Sequence, residues 1–307
     1  MTLANGDLTT PALYANWIGL DPTKLPIGVA QFINSMSRMI LSKLNRAPLY
    51  SQTYVRRFNG EGTGQILLPD YPVTLVSAVQ QGGALVPFSP IAAPQAPYSQ
   101  PGIGTYYGIR YLPWNPGDMP GQACMLEYVG NCFWPGYQNI SVTYTAGYLI
   151  QNEAATVPAV SPWQVTVVQP YGIWCRDGGV TYASSGTALV PVAASPAAGQ
   201  YIPPSDANPG VYTFSTADAG VGVLISYSFV PADLTEACNQ MVAERLSYRG
   251  RVGEISKSLG GQETMRWMRG GMGGYNSGNP FPDIPPEVVG LIWPYVSVTS
   301  PAMGADT

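Results

Sequence analysis

The side chains able to do acid, base or nucleophilic chemistry are few and scattered in this sequence. Histidine is absent, which removes the Ser-His-Asp and Cys-His arrangements and the common zinc, copper and iron ligand sets. Asp233 and Glu236 lie three residues apart in one predicted helix, and Glu244 follows two turns later. Paired acids suit the hydrolysis of glycosidic bonds, but solvated acids that complement the dipole of the helix are the favoured interpretation.

Glycine-rich and aromatic stretches offer two further kinds of site. Gly60–Gly64 and Gly102–Gly108 match neither GxxxxGK[ST] nor a GxGxxG between a strand and a helix, so both are predicted to be turns. Loop and core packing is favoured over a sugar-stacking platform for a set of six aromatic residues: Trp114, Phe133, Trp134, Tyr137, Tyr106 and Tyr107. The sequence therefore predicts no catalytic residue, no metal and no cofactor, and a protein that is not an enzyme.

Composition limits the classes that remain. Hydrophobic residues make up 46% of the chain, enough for a sizeable core, whereas charged residues make up only 10% against about 25% in a typical domain. The net charge of −4 argues against a basic surface that wraps nucleic acid. No apolar run is long enough to span a membrane, and the N-terminal residues predict no secretory signal, so we expect synthesis and use in a cytoplasm.

The four cysteines, Cys124, Cys132, Cys175 and Cys238, do not have the spacing of a metal site. Neutral or buried thiols are favoured over disulfides, with a bridge between Cys124 and Cys132 as the one alternative left open.

The pattern along the chain predicts an α+β fold. Thr9 or Thr10 before Pro11 predicts the start of a short helix, and apolar residues spaced by three and four predict a second helix from Pro26 to about Asn45. Strands follow, then an ordered loop over residues 84–121 and two more strands. A helix begins at Pro231, with Asp233 in its first turn, Arg245 in its last and Gly250 after its end.

A charge-poor segment separates the first strands from that helix. Residues 71–232 contain two basic and six acidic residues, in short strand-like runs divided by Gly, Pro and Ser. We expect an inserted all-β sandwich or barrel module at 157–228. A discontinuous core of 1–150 and 229–307 would then combine the helices with a sheet or hairpin.

The C-terminal part contains the candidate interaction residues. Six of the 14 basic residues lie between Arg245 and Arg269, and an apolar tail follows a glycine-rich linker. We expect subunit or partner contacts at Arg245, Arg249, Arg251, Leu291, Ile292, Trp293 and Tyr295.

Taken in order, the motifs resemble head–tail connector proteins (adaptor or head-completion proteins) of tailed bacteriophages. The matching runs are "YSQTYVRRFNG", "LLPDYPVTLVSAV", "VTYTAGY", "VPADLTEA" and "IPPEVVGLIWPYV", within residues 7–148 and 229–296. The motif residues are Tyr54, Phe58, Gly60, Leu68, Pro69, Pro72, Val73, Tyr144, Ala146, Gly147, Tyr148, Pro231, Asp233, Leu234, Ala237, Arg249, Gly250 and Tyr295. This sequence departs from the family pattern by about 80 residues between "YTAGY" and "VPADL", which resemble a β-module of other phage structural proteins.

The resemblance implies a structural virion protein in the neck, between capsid and tail, assembled in the bacterial cytoplasm. Its implied partners are the portal protein, neighbouring copies in a homo-oligomeric (dodecameric) ring, and a downstream tail or neck protein. Genome DNA would pass through the channel without sequence-specific binding, and no membrane is involved. The alternative is a carbohydrate-binding or adhesive β-protein of a virion or cell surface, supported by the aromatic residues and the low charge.

Overall fold

The fold is α+β, as the sequence predicts. The computed structural model describes residues 3, 6–45, 49–86, 88–90, 108–115, 118, 124–205, 208–248, 256–259, 263–266 and 284–296. Its contacts divide the chain into two compact units. The helical unit comprises Met1–Arg46 and Asn152–Val296, and the sheet unit comprises Ala47–Gln151 and Ser297–Thr307.

The described helices all lie in the helical unit: α1 (Pro11–Trp17), α2 (Val29–Leu44), α3 (Ala232–Tyr248) and α4 (Pro286–Ile292). The Thr10 hydroxyl accepts a hydrogen bond from the Leu13 N–H at 3.2 Å and caps α1. Helix α2 begins later than predicted because Gly28, at φ +93°, is in the left-handed conformation. Its predicted apolar stripe is confirmed, since five residues of that stripe are buried: Val29, Ile33, Met36, Ile40 and Leu44.

The segment before α1 is held against both α2 and α3. The Leu8 N–H donates to the Ser37 hydroxyl of α2 at 2.9 Å, and the Thr235 hydroxyl of α3 donates to the Leu8 carbonyl at 2.9 Å. Asn34 of α2 donates to the Asp7 carboxylate at 3.1 Å. These bonds satisfy buried polar groups. Through the segment before α1 they also connect α2 and α3, which lie far apart in sequence.

The sheet unit contains two four-stranded sheets, with strand orders β1-β8-β3-β4 and β2-β7-β6-β5. The strands are β1 (Gln52–Gly60), β2 (Gln65–Leu67), β3 (Val73–Gln81), β4 (Ala84–Leu85), β5 (Phe88–Pro90), β6 (Gly108–Tyr111), β7 (Met125–Val129) and β8 (Gly136–Ala146). Both sheets contribute to one apolar core, with Val76, Val142 and Tyr144 from the first and Ile109 and Leu126 from the second.

An ion pair lies beside this core. The Arg56 guanidinium donates two hydrogen bonds to Asp70, at 2.8 and 3.0 Å, and the Tyr144 hydroxyl donates to the same carboxylate at 2.6 Å. The Tyr54 ring stacks on the Tyr144 ring with centroids 5.8 Å apart. Strands β1 and β8 are thereby joined through their side chains as well as their backbones.

Residues 149–231 form two further sheets, ordered β11-β15-β9 and β10-β14-β13-β12. The strands are β9 (Leu149–Thr156), β10 (Gln164–Thr166), β11 (Gly172–Tyr182), β12 (Val190–Pro191), β13 (Gln200–Ile202), β14 (Val211–Phe214) and β15 (Gly222–Pro231). Tyr201 and Tyr212 both donate hydroxyl hydrogen bonds to Asp177, at 2.6 and 3.1 Å. Tyr227 donates to Glu153 at 2.6 Å. Tyrosine hydroxyls therefore donate hydrogen bonds to the carboxylates of Asp177 and Glu153 in these sheets.

The division into units differs from the expected one. We expected a core of 1–150 and 229–307 with an insertion at 157–228, whereas the contacts group residues 152–296 with the N-terminal helices and separate residues 47–151. Strand β15 pairs with β11 over nine residue pairs and leads directly into α3. This pairing links the proposed module to the helices, and its origin as an insertion stays a prediction.

Two local predictions need correction, and one alternative is settled. The loop expected over 84–121 contains strands β4, β5 and β6, and the rest of that range lies largely outside the described residues. A hairpin of β16 (Ser256–Leu259) and β17 (Glu263–Arg266) occurs where no strand was predicted. Cys124 and Cys132 are free thiols, so the favoured interpretation is confirmed and the alternative bridge between them does not form.

Gly147 provides a test of the sheet unit. It lies at φ +128°, and a Cβ there would be 2.5 to 2.6 Å from backbone atoms of Tyr50 and Ser51. We expect Gly147→Ala to destabilise the protein by about 2–4 kcal/mol, because both the backbone conformation and the space exclude a side chain. Urea unfolding measures this effect.

Gly290→Ala is the matched control. Gly290 lies in α4, and a Cβ there would meet no described atom within 4 Å, so alanine should be neutral or stabilising by up to about 1 kcal/mol. Equal stability of the Gly147→Ala variant and the wild type would contradict the packing described for this turn.

Candidate interaction surfaces

The acidic residues considered for catalysis have structural partners. The Glu236 carboxylate accepts hydrogen bonds from the Trp17 indole at 2.7 Å and from Gln240 at 2.9 Å. Asp233 accepts one from the Tyr295 hydroxyl at 3.1 Å. These acids therefore attach α1 and the C-terminal segment to α3. Among the described residues, no group of three or more Cys, Asp or Glu side chains is placed to hold a metal ion.

The C-terminal segment packs within its own unit. Helix α4 contacts α3, and Ile284, Val288, Ile292 and Tyr295 are buried. The sequence grouped Ile292 and Tyr295 with Leu291 and Trp293 as contact residues for other proteins. In the structure Leu291 is half-buried, and Trp293 is the member of this set with a largely accessible side chain, 57% exposed.

Of the three arginines predicted to make contacts, the structure describes Arg245. Arg245 lies in the last turn of α3 and is exposed. Arg245 lies on the same face of α3 as Leu234 and Cys238, which are buried nearer the N-terminus of the helix. In the last turn that face is therefore exposed to solvent at Arg245. Arg249 and Arg251 lie outside the described residues. The structure thus leaves Arg245 and Trp293 as the accessible candidates on the helical unit.

A second surface presents two aromatic rings, Trp134 in the loop between β7 and β8 and Tyr137 at the start of β8. Trp134 and Tyr137 are 59% and 78% exposed. The Asn139 amide holds the loop, since its Nδ2 donates to the Trp134 carbonyl and its Oδ1 accepts from the Gly60 N–H, both at 2.8 Å. We call residues 130–139, which comprise this loop and the first four residues of β8, the aromatic loop.

Glycine is required where β1 meets the aromatic loop. A Cβ at Gly60 would lie 1.7 Å from the Trp134 carbonyl oxygen. The Gln138 N–H also donates to the Asn59 side chain at 2.7 Å. Polar groups of the aromatic loop and of β1 therefore fix the loop, and the two rings are its large exposed apolar side chains. The sequence signals for this arrangement are the glycine turn after β1 and the run "NCFWPGYQN", which lie far apart in the chain and do not indicate that they meet.

The remaining aromatic residues of the proposed sugar platform do not join these rings. Phe133 is fully buried against Tyr128, with centroids 5.3 Å apart. Trp114 is buried edge-on against Tyr148 at 5.5 Å. Tyr106 and Tyr107 lie outside the described residues. Packing within the core, the favoured interpretation, is confirmed for Trp114 and Phe133.

No helix in the part of the chain that the structure describes is long and apolar enough to cross a membrane.

Comparison with known proteins yields a structural likeness and no sequence match. No protein-family model matches the chain, and no curated protein matches it. Among solved structures, the chain is similar to one in the neck of an empty gene transfer agent (GTA) particle computed with C6 symmetry. The alignment covers 98% of this chain and 95% of that chain, with 14% sequence identity and a TM-score of 0.37. The likeness to a neck protein of a phage-like particle is thus coarse, and the function has to be argued from the chain's own residues.

Proposed function

We propose that this protein is a structural subunit of a phage neck, a head–tail connector without catalytic activity. Several copies form a ring beneath the portal protein, extend the DNA channel and receive the downstream tail or neck protein. The proposal concerns a binding role, so its support comes from the motif residues and from the accessible surfaces.

The observation that carries the proposal is that residues of separate connector motifs contact one another. Asp233, from "VPADL", accepts the hydroxyl hydrogen bond of Tyr295, from the C-terminal motif, across 62 residues of sequence. In the sheet unit, Tyr54 of the first strand motif stacks on Tyr144 of "VTYTAGY". Contacts between these motifs are expected if together they build one connector fold.

Burial of the motif residues supports the same conclusion. Eight of them are at most 2% exposed: Leu68, Val73, Tyr144, Ala146, Tyr148, Leu234, Ala237 and Tyr295. Buried apolar positions determine which fold a sequence adopts. The resemblance therefore concerns the positions that build the fold, and it does not depend on surface composition.

The surfaces suit assembly and passage of DNA. Accessible Trp293 and the rings of the aromatic loop provide apolar anchors of the type enriched in protein interfaces, and Arg245 offers a charged contact. The chain has 18 acidic and 14 basic residues. A net negative balance suits a channel wall past which DNA slides, because it disfavours binding to the phosphates.

Deletion of the gene from the phage that encodes it tests the proposal. We expect DNA-filled heads that lack tails, and recovery of infectious particles when the wild-type gene is supplied in trans. A deletion that yields normally tailed, infectious particles would contradict the connector role. A deletion that yields tailed particles unable to adsorb would instead indicate the adhesive alternative.

A further inference from the structure

The two edges of the β1-β8-β3-β4 sheet differ in how their backbone groups are satisfied. Along β3, the Val79 carbonyl accepts from the Val86 N–H at 2.9 Å and the Val73 carbonyl from the Trp114 N–H at 2.7 Å. The Val76 N–H donates to the Tyr111 hydroxyl at 3.2 Å. The side of β3 that faces away from β8 is thus covered by the β4 segment and by Tyr111 and Trp114. Strand β1 forms the opposite edge and pairs only with β8 among the described strands.

The register determines which groups of β1 point outwards. Val79 directs its carbonyl away from β8, so its partner Val142 directs its own backbone groups towards β1. Val142 lies opposite Arg56, which therefore uses its N–H and C=O inside the sheet. Orientation alternates along a strand, so the outward groups belong to the residues between: Thr53, Val55 and Arg57.

These outward groups have no partner in the described part of the chain. The side chains of the same three residues are exposed. Strand β1 has nine residues, contains no proline, and its register shifts only between Phe58 and Gly60. Over the first seven residues of this strand there is no central bulge and no proline, and no segment of the described residues covers it, so most of the devices that protect a natural sheet edge are absent from the described structure.

Charge selects the kind of strand that fits this edge. Arg56 is paired with Asp70, whereas no described carboxylate pairs with exposed Arg57. Strand β1 contains no acidic residue. Antiparallel pairing of two β1 strands centred on Arg57 would place two arginines opposite each other with no carboxylate in either strand, and like charges across strands are destabilising. A strand with a carboxylate opposite Arg57 has the opposite, favourable charge.

We propose that β1 is a docking edge to which an extended segment of a different protein of the particle, carrying an acidic residue opposite Arg57, adds as a fifth strand. This deepens the proposed neck function and rests on it. Backbone hydrogen bonds from Thr53, Val55 and Arg57 supply the pairing, and the Arg57 guanidinium fixes the register of the added strand.

Val55→Pro tests the edge without disturbing the sheet. Proline removes an outward N–H, which edge strands tolerate, so the melting temperature of the isolated variant should stay within about 4 °C of the wild type. Its incorporation into particles should fall at least about tenfold. Val55→Thr retains the N–H and the branched side chain and should be incorporated normally. Arg57→Glu should also be excluded from particles, whereas Arg57→Lys should be incorporated.

Hydrogen exchange on the wild-type protein gives a readout that requires no variant. The outward amides of Thr53, Val55 and Arg57 should exchange rapidly in the isolated protein and at least about tenfold more slowly in intact particles, whereas the inward amides of Tyr54 and Arg56 should be protected in both. Unchanged exchange in particles that do contain the protein, or normal incorporation of Val55→Pro, overturns the docking edge and leaves the neck function standing. Absence of the protein from particles instead refutes the neck function. Protection that appears in the isolated protein as its concentration rises would assign the edge to a second copy and overturn the proposed partner.

Discussion

Replacing Ile292 by alanine is expected to lower the free energy of unfolding by about 2–4 kcal/mol, while replacing the adjacent Trp293 changes it by less than about 1 kcal/mol. Ile292, the last residue of α4, is fully buried, whereas 57% of Trp293 is exposed. Incorporation into particles should depend on Trp293 instead: we expect the amount of the Trp293→Ala variant in particles to fall at least about tenfold, although its stability is unchanged. Urea unfolding and the protein content of purified particles measure the two effects.

Tyr295→Phe is the control for this pair. It keeps the buried ring and removes the hydrogen bond to Asp233, so a loss of about 0.5–1.5 kcal/mol is expected. If Trp293→Ala unfolds as easily as Ile292→Ala, the tail is purely structural. If Trp293→Ala is stable and incorporated at the wild-type level, Trp293 is not a contact residue.

The buried tail also changes what truncation should do. The sequence suggests that a chain cut after Gly274 stays folded and merely loses a docking segment. In the structure, the removed part includes buried Ile284, Val288, Ile292 and Tyr295. Exposing the apolar surface of α3 that these side chains cover costs several kcal/mol at about 25 cal/mol per Å². Truncation is therefore a poor test of docking, and the point variants are required.

Raising the pH above about 9 should destabilise the protein strongly. Burial raises the pKa of the Cys124, Cys175 and Cys238 thiols to about 12. It also raises the pKa of the Tyr144 and Tyr212 hydroxyls, with neighbouring carboxylates acting in the same direction. A folded-state pKa above the unfolded value means that the stabilisation is complete below the unfolded pKa and is lost as the pH rises towards the folded one.

The free energy of unfolding should thus be nearly constant from pH 7 to 8 and fall by at least about 3 kcal/mol by pH 10.5. Each buried thiol or phenol that ionises on unfolding contributes a slope of about 1.4 kcal/mol per pH unit. Urea unfolding under reducing conditions at four pH values measures the slope. Cys175→Ala should make it shallower by the contribution of one group, and a constant free energy up to pH 10.5 would falsify the assignment of these groups to the core.

Local patterns allowed the helices and several strands to be predicted. The spacing of Val29, Ile33, Met36 and Ile40 reports one face of a helix, and the cap at Thr10 involves residues three apart. Such signals are contained within a few turns of chain. The end of α2 at Asn45, in the left-handed conformation, is likewise a local feature.

Long-range partners were not predictable in the same way. The hydrogen bond between Asp233 and Tyr295 and the clamp of Asn139 on Gly60 join positions 62 and 79 residues apart. A single sequence contains no signal for such pairs, so it predicts a contact segment in a tail of which half the candidate residues are buried. The open edge of β1 also required the register, because alternation in the sequence identifies the exposed face but not the strand's neighbours.

The most direct test of the connector account is the amount of this protein relative to the portal protein in purified, DNA-filled particles. Quantitative mass spectrometry with labelled reference peptides gives that ratio. The account predicts a fixed ratio close to one, as expected for a ring that continues the portal, and the same ratio in every preparation. Absence of the protein from such particles, or an amount that follows the capsid protein instead of the portal protein, would contradict it.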